Sequence, residues 1–266
     1  AVAEGTYRIR LVCPHLAAHA VPGQFVMLRL RSGDDPLLGR PLAMYEVVLN
    51  DAGEPWALDI VYLAIGKMTR CLAMVGSGEQ IDVWGPLGNG FPAEPVDHLI
   101  MVGGGIGQTP FLALSQEALG RRAYGQADRR PGWAKRATLC YGARSERLLA
   151  CVDDFCNAGV TVRLATDDGS TGHRGLVTDL IEPLVGESGG SCRIVSCGPE
   201  PMLKAVVEIA RRLGVPCQAS LETPMACGMG ICFSCVTKIR DDAGGWDYRR
   251  TCIDGPVFDA EKIVFD

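Results

Sequence analysis

The last quarter of this chain constrains it more than any other part. It reads Cys227-Gly228-Met229-Gly230-Ile231-Cys232-Phe233-Ser234-Cys235, and a fourth cysteine, Cys252, follows after sixteen intervening residues. A C-x4-C-x2-C run with a distant fourth cysteine is the plant-type spacing for a [2Fe–2S] cluster. Gly228 and Gly230 stand between the first two cysteines, where a backbone wrapping a cluster takes dihedrals that a Cβ forbids. N–H groups exposed there can point at cluster sulfurs and help set the potential. Cys227, Cys232, Cys235 and Cys252 are therefore the candidate metal ligands, and the pattern predicts a one-electron redox protein. A structural zinc site is the rival reading. Four-cysteine zinc modules usually show two C-x2-C knuckles, however, and this chain has one, Cys232/Cys235.

The remaining eight of the twelve cysteines (Cys13, Cys71, Cys140, Cys151, Cys156, Cys192, Cys197 and Cys217) are scattered without a framework pattern. Scattered thiols suit a reducing cytosol better than a disulfide scaffold. A length of 266 residues allows two domains and a small third one. The net charge of −5 gives no reason to expect a nucleic-acid partner. The one basic patch, Arg121, Arg122, Arg129, Arg130 and Arg136, reads as a solvated loop. The N-terminus has no apolar h-region, and no run approaches the roughly eighteen apolar residues of a membrane span, so the expectation is a cytoplasmic protein.

Residues 1–95 read as β structure. Short apolar or alternating runs at Phe25–Leu30, 43–49, 58–63 and 80–84 are separated by Gly, Pro, Asn and Asp at 32–36, 50–55 and 85–92. Many short strands with turn signals predict a small antiparallel barrel. From Val96 the texture changes to strand candidates at 98–102, 138–141, 161–165 and 193–196. They alternate with helical stretches at 110–119, 146–158, 177–181 and 201–213, which argues for a parallel α/β sheet. The expected organisation is β barrel plus α/β: an antiparallel barrel over 1–95, a nucleotide domain over 96–214 and a cluster module over 215–266.

Gly103-Gly104-Gly105-Ile106-Gly107-Gln108-Thr109-Pro110 lies after a strand and before a helix, where a pyrophosphate can meet backbone and N–H groups. The run departs from G-x-G-x-x-G because Gln108 stands at the third glycine. No acidic residue ending a second strand reads a ribose as in a Rossmann domain. A different nucleotide fold is expected.

Four segments together resemble the ferredoxin–NADP reductase superfamily, and their order is right for it. Arg40-Pro41-Leu42-Ala43 is similar to its flavin-holding Arg-Pro-x-Ser segment. Gly66-Lys67-Met68-Thr69 resembles the segment that contacts the FAD diphosphate. Gly103, Gly105, Ile106 and Gly107 resemble its nicotinamide-nucleotide loop, and Cys197-Gly198-Pro199 its element near the nicotinamide. Within the superfamily, the segment from Ser220 through Cys235, then Thr251 through Phe258, resembles the electron-transfer subunits of dihydroorotate dehydrogenase B. Residues 166–170 and 175–178 do so as well.

The resemblance implies FAD and NAD beside the [2Fe–2S] cluster. It also implies an FMN-containing dihydroorotate dehydrogenase catalytic subunit as partner, in a heterotetramer of two plus two serving pyrimidine biosynthesis. NADH carries a hydride while the cluster takes single electrons, so a flavin must stand between them. No general acid or base is required, and the four histidines (His15, His19, His98 and His173) form no catalytic constellation. Arg144 and Ser145 leave a 2′-phosphate, hence NADP, open. A reductase subunit of another complex (hydrogenase, transhydrogenase or oxygenase) and a redox-inactive zinc-stabilised binding module are the competing readings.

Two departures from the superfamily pattern stand out. Ala43 replaces the usual Ser near the flavin, with backbone N–H groups or Tyr45 as candidate substitutes. Met68 replaces a frequent Gly, which would be strained if the loop required positive φ.

Overall fold

The computed structural model describes residues 1–31, 35–125 and 129–265; the turn expected at 32–36 falls largely outside them. Six strands form in the first ninety-odd residues: β1 (Thr6–Val12), β2 (Phe25–Leu30), β3 (Arg40–Ala43), β4 (Glu46–Leu49), β5 (Pro55–Leu63) and β6 (Ile81–Leu87). Two short helices, α1 (Pro14–His19) and α2 (Lys67–Leu72), interrupt them. The strands are divided between two antiparallel sheets, β1-β5-β4 and β3-β2-β6. Their alternating apolar residues, among them Leu11, Val26, Leu28, Leu58 and Ile60, meet in one core. Met68 belongs to that core too. It sits in the helix α2 and is buried, so position 68 requires no left-handed backbone.

The chain then alternates strand and helix. Strands β7 (Val96–Gly104), β8 (Ala134–Ala143), β9 (Thr161–Thr166), β10 (His173–Arg174), β11 (Cys192–Cys197) and β12 (Cys217–Ser220) are joined largely by α3 (Phe111–Ala118), α4 (Val152–Asn157), α5 (Ile181–Gly186) and α6 (Glu200–Leu213). Beyond them come β13 (Val236–Arg240), β14 (Trp246–Arg250), β15 (Val257–Asp259) and β16 (Ile263–Val264).

A seven-stranded sheet takes the order β10-β9-β8-β7-β11-β12-β15, parallel except for β15, which runs antiparallel to β12. Leu99 and Met101 of β7 join the core with α3 and α4, while Ile100 and Val102 join the one with α5 and α6. Successive strands lead away from β7 through β8, β9 and β10, and the chain then returns to its other side as β11. The crevice between the carboxyl ends of β7 and β11 is thus the switch point at which such sheets bind ligands. Both β12 and β15 lie beyond residue 214 yet complete this sheet, while β14-β13-β16 forms a sheet of its own.

The arginine patch is not simply a solvated loop. Arg122 donates to Glu46 Oε1 at 2.9 Å, and Arg129 holds the buried Glu117 carboxylate with Nε and Nη2. A buried carboxylate demands such a partner, and here the demand is met by residues the composition assigns to the surface. Among the described residues no helix is long and apolar enough to cross a membrane.

Candidate functional site

The hairpin of β13 and β14 explains the long spacing to the fourth cysteine. Val236 pairs with Arg250, so Cys235 just before β13 and Cys252 just after β14 return to the same place. Their sulfurs lie 3.2 Å apart and both residues are buried. This is well beyond the S–S bond length of about 2.05 Å, and all twelve cysteines are free thiols.

Cys227 and Cys232 form a second, more exposed pair. The Ser234 hydroxyl, then Cys227, hold the Cys232 thiol down at about 6, which makes it largely thiolate, the ligating form, at neutral pH. Burial and the Cys235 thiol push Cys252 up to about 11. Gly228 (φ +71) and Gly230 (φ +79) are left-handed, as expected, and a Cβ on either would strike Met27 Cγ at 2.6 Å or Ile253 Cγ1 at 2.7 Å. Among the described residues no three His, Cys, Asp or Glu side chains close on one metal ion. Two thiol pairs suit a two-iron centre, with two thiolates to each iron, better than one tetrahedral zinc.

Beside this loop opens a cavity of about 870 Å³. Arg40, Pro41, Leu42 and Ala43 of β3, then Gly66 and Thr69, line one part of it; Ile106, Thr109 and Cys197 line another. The segment from Ser220 to Ala226 closes the side toward the cysteines. The wall is fit for a large, partly polar ligand. Arg40 has no carboxylate partner among the described residues and donates only to the carbonyls of Leu38 and Gly39. A Cβ on Gly66 would meet nothing nearer than Thr69 Oγ1 at 3.9 Å, so packing of the protein alone does not require glycine there. Tyr62 and Thr223 line the cavity, and their hydroxyls are buried without a partner. Buried polar atoms of this kind are normally satisfied.

Other candidates stand elsewhere. Lys67 points away to an ion pair with Asp35. Gly103, Gly105, Gly107 and Gly198 are not on the cavity wall, although their neighbours Ile106 and Cys197 are. Their glycines are needed for packing at the switch point: a Cβ on Gly107 would lie 2.2 Å from the Cys197 carbonyl oxygen, and one on Gly198 2.8 Å from Met202 Cε. Only Gly105, at φ +56, faces open space. The loop continues as a short 3-10 turn, Gly105–Gln108, before α3. Tyr45 does not take over from a serine at position 43. Its hydroxyl donates to Asp154 Oδ2 at 2.8 Å, its ring lies under the Arg8 guanidinium, and it is wholly buried away from the cavity.

Residues that the sequence assigns no individual role at a cavity also meet here. Glu222 lines the cavity, where crowding by protein atoms raises its carboxyl although the side chain still reaches solvent, and it has no hydrogen-bond partner among the described residues. Burial and then the Glu222 charge raise the Cys197 thiol, so it stays protonated. Phe25 and Met225 line the cavity and also pack in one cluster with Cys235 and Cys252. The apolar run that opens β2 marks Phe25 as buried; nothing in the sequence marks either residue as standing between two sites.

Fold and site together define a flavin-reductase-type oxidoreductase with an iron–sulfur module. Residues 101–208 match the oxidoreductase NAD-binding domain, and residues 222–264 match the iron–sulfur cluster binding domain of dihydroorotate dehydrogenase B. The chain is similar to the dihydroorotate dehydrogenase B (NAD+) electron transfer subunit of Caldanaerobacter subterraneus subsp. tengcongensis, at 36% identity over 92% of this chain and 87% of that one. The subunit of the same name from Geobacillus thermodenitrificans is 37% identical over 99% of this chain and 94% of its own. A solved structure of the NADH-dependent reduced ferredoxin–NADP oxidoreductase superposes with a TM-score of 0.81 at 29% identity, covering 99% of this chain and 87% of that one. The chain belongs to the family of dihydroorotate dehydrogenase B electron transfer subunits.

Proposed function

We propose that this chain carries electrons between an FMN-containing dihydroorotate dehydrogenase catalytic subunit and NAD+, by way of a [2Fe–2S] cluster and FAD, in pyrimidine biosynthesis. The observation that carries the reading is the shared wall: Phe25 and Met225 line the large cavity and belong to the packed cluster that includes Cys235 and Cys252. Flavin bound in that cavity would exchange a hydride on one side and single electrons on the other.

The chain's own residues bind, orient and exclude water. Arg40, with Pro41, Leu42 and Ala43, would hold the flavin, and its guanidinium, which has no carboxylate partner among the described residues, suits a phosphate. Gly66 and Thr69 would take the diphosphate, with Lys67 close by. Gly103, Gly105, Ile106, Gly107, Cys197 and Gly198 would seat the nicotinamide nucleotide at the switch point. A protonated Cys197 beside the nicotinamide keeps a competing nucleophile out of the site. Cys227, Cys232, Cys235 and Cys252 would hold the cluster, the first pair toward solvent and the second toward the cavity. Exposed Met229, Ile231 and Phe233 beside the outer pair support docking of the catalytic subunit there. A cytoplasmic heterotetramer of two plus two, with units at 1–95, 96–214 and 215–266 in this chain, completes the reading.

The test is anaerobic, dihydroorotate-driven NADH formation by the complex that co-purifies with the tagged chain. Activity lost when the catalytic partner is stripped away is the expected result. Intact flavin and cluster without dihydroorotate activity would favour a reductase subunit of another complex. The solved ferredoxin–NADP oxidoreductase at 29% identity is the observation behind that second reading.

A further inference from the structure

Trp84, on β6, reaches both cofactor sites with one side chain. Its indole Nε1 donates to the Cys227 carbonyl at 2.9 Å. The far edge of the same ring presses on Gly39: a Cβ there would lie 2.7 Å from Trp84 Cη2 and 2.9 Å from the Leu28 carbonyl. Gly39 immediately precedes Arg40, whose Nη1 donates to the Gly39 carbonyl at 3.0 Å. Contacts therefore run without a gap from the Arg40 guanidinium through Gly39 and the indole to Cys227.

Around this line the β2–β6 sheet grips the loop. Met27, the register partner of Trp84, and Leu87 would lie 2.6 Å and 3.0 Å from a Cβ on Gly228. Both pack with Phe25, Met225, Cys235 and Cys252.

We propose that Trp84 is a positioning residue that ties the flavin-holding segment to the cluster loop, so that a displacement at Gly39–Arg40 is felt at Cys227. This rests on the assignment of the two sites made above. An indole is suited to the task because it is rigid and offers a single directional donor. A carbonyl one residue from the next loop N–H groups controls where those groups point, and such groups tune a cluster. A tryptophan that merely packed against the sheet would make no link between Gly39 and the cysteines.

The experiment uses the full chain loaded with FAD and cluster. Trp84→Phe keeps an aromatic side chain but removes both the donor and the far edge that meets Gly39. It should alter the reduced-state EPR spectrum and speed cluster loss to an iron chelator by roughly five- to tenfold, the worth of one hydrogen bond, while flavin absorbance stays. Gly39→Ala touches no cysteine, yet it should shift the same two cluster signals. In the Trp84→Phe background it should add little, since the link is already cut. Cluster signals unmoved by Trp84→Phe, or Gly39→Ala effects that simply add to it, would overturn the coupling alone. Wild-type protein with flavin but no cluster signal would overturn the site assignment and the coupling with it.

Discussion

The Thr251 hydroxyl donates to the Cys235 carbonyl at 2.7 Å, and the Thr251 N–H donates to the same oxygen at 2.9 Å. Thr251 is fully buried and adjoins Cys252, so this pair of hydrogen bonds from one residue fixes the spacing of the two inner cysteines. Thr251→Val keeps the shape and removes one donor. The expected cost is about 1 kcal/mol, seen as a melting temperature lowered by about 2–4 °C. Faster cluster loss should accompany it. Unchanged stability and cluster lifetime would mean that the hairpin alone sets the pair.

Replacement of the inner and outer cysteines tests the ligand set from both sides. Cys252→Ser and Cys227→Ser should each abolish the cluster's absorbance and reduced-state EPR signal. Flavin absorbance should remain, because neither residue lines the cavity. A colourless wild-type protein containing zinc would instead support the redox-inactive reading.

Variants at Gly66 and Gly107 would separate a glycine proposed to serve a ligand from one that serves the fold. A Cβ at Gly66 finds open space, so Gly66→Ala should leave the thermal midpoint within a degree or two and weaken FAD binding by roughly tenfold, about 1.4 kcal/mol. A Cβ at Gly107 collides with the Cys197 carbonyl at 2.2 Å. Gly107→Ala should then lose roughly 2–4 kcal/mol of stability, as overpacking against backbone does, and raise the KM for NADH. Equal effects on stability in both variants would remove Gly66 from the diphosphate site.

Much of this site was legible because its chemistry depends on spacing along the chain. Four cysteines and the glycines between them announce a cluster loop, and the β-to-α/β change of texture at Val96 divides the antiparallel sheets from the parallel one. What the sequence hid is long-range. Strands β12 and β15 join the nucleotide sheet although they flank the cluster loop, because pairing depends on partners far along the chain. Tyr62 reaches the cavity without any motif, Glu222 and Thr223 lie in a segment whose resemblance gave them no place at a cavity, and Trp84 meets Cys227 across 143 residues. Tyr45 stands two residues past Ala43, but it lies between β3 and β4 rather than within either, and its hydroxyl is held by Asp154 across 109 residues. Met68 is free of strain because its segment coils into α2, a helix too short to announce itself by periodicity.

His98 gives the fold a pH dependence whose sign follows from its surroundings. It lies on β7 with no exposure, and its two ring nitrogens meet Ser188 Oγ at 2.9 Å and Thr138 Oγ1 at 2.8 Å. Burial, and secondarily the Arg136 charge, push its pKa down to about 4. The unfolded chain titrates near 6.5. Above that value both states are neutral and His98 costs nothing. As pH falls from 6.5 toward 4, the unfolded chain takes up the proton first, so stability falls with it and levels off once the folded form is protonated too. The loss attributable to His98 should be roughly 1–3 kcal/mol. Denaturant unfolding of the wild type and of His98→Asn at pH 7, 6 and 5 reads it directly. The variant should be less stable at pH 7, where it forfeits a hydrogen bond, and the gap should narrow toward pH 5. A gap that stays constant across the three would place the acid sensitivity in the carboxylates instead.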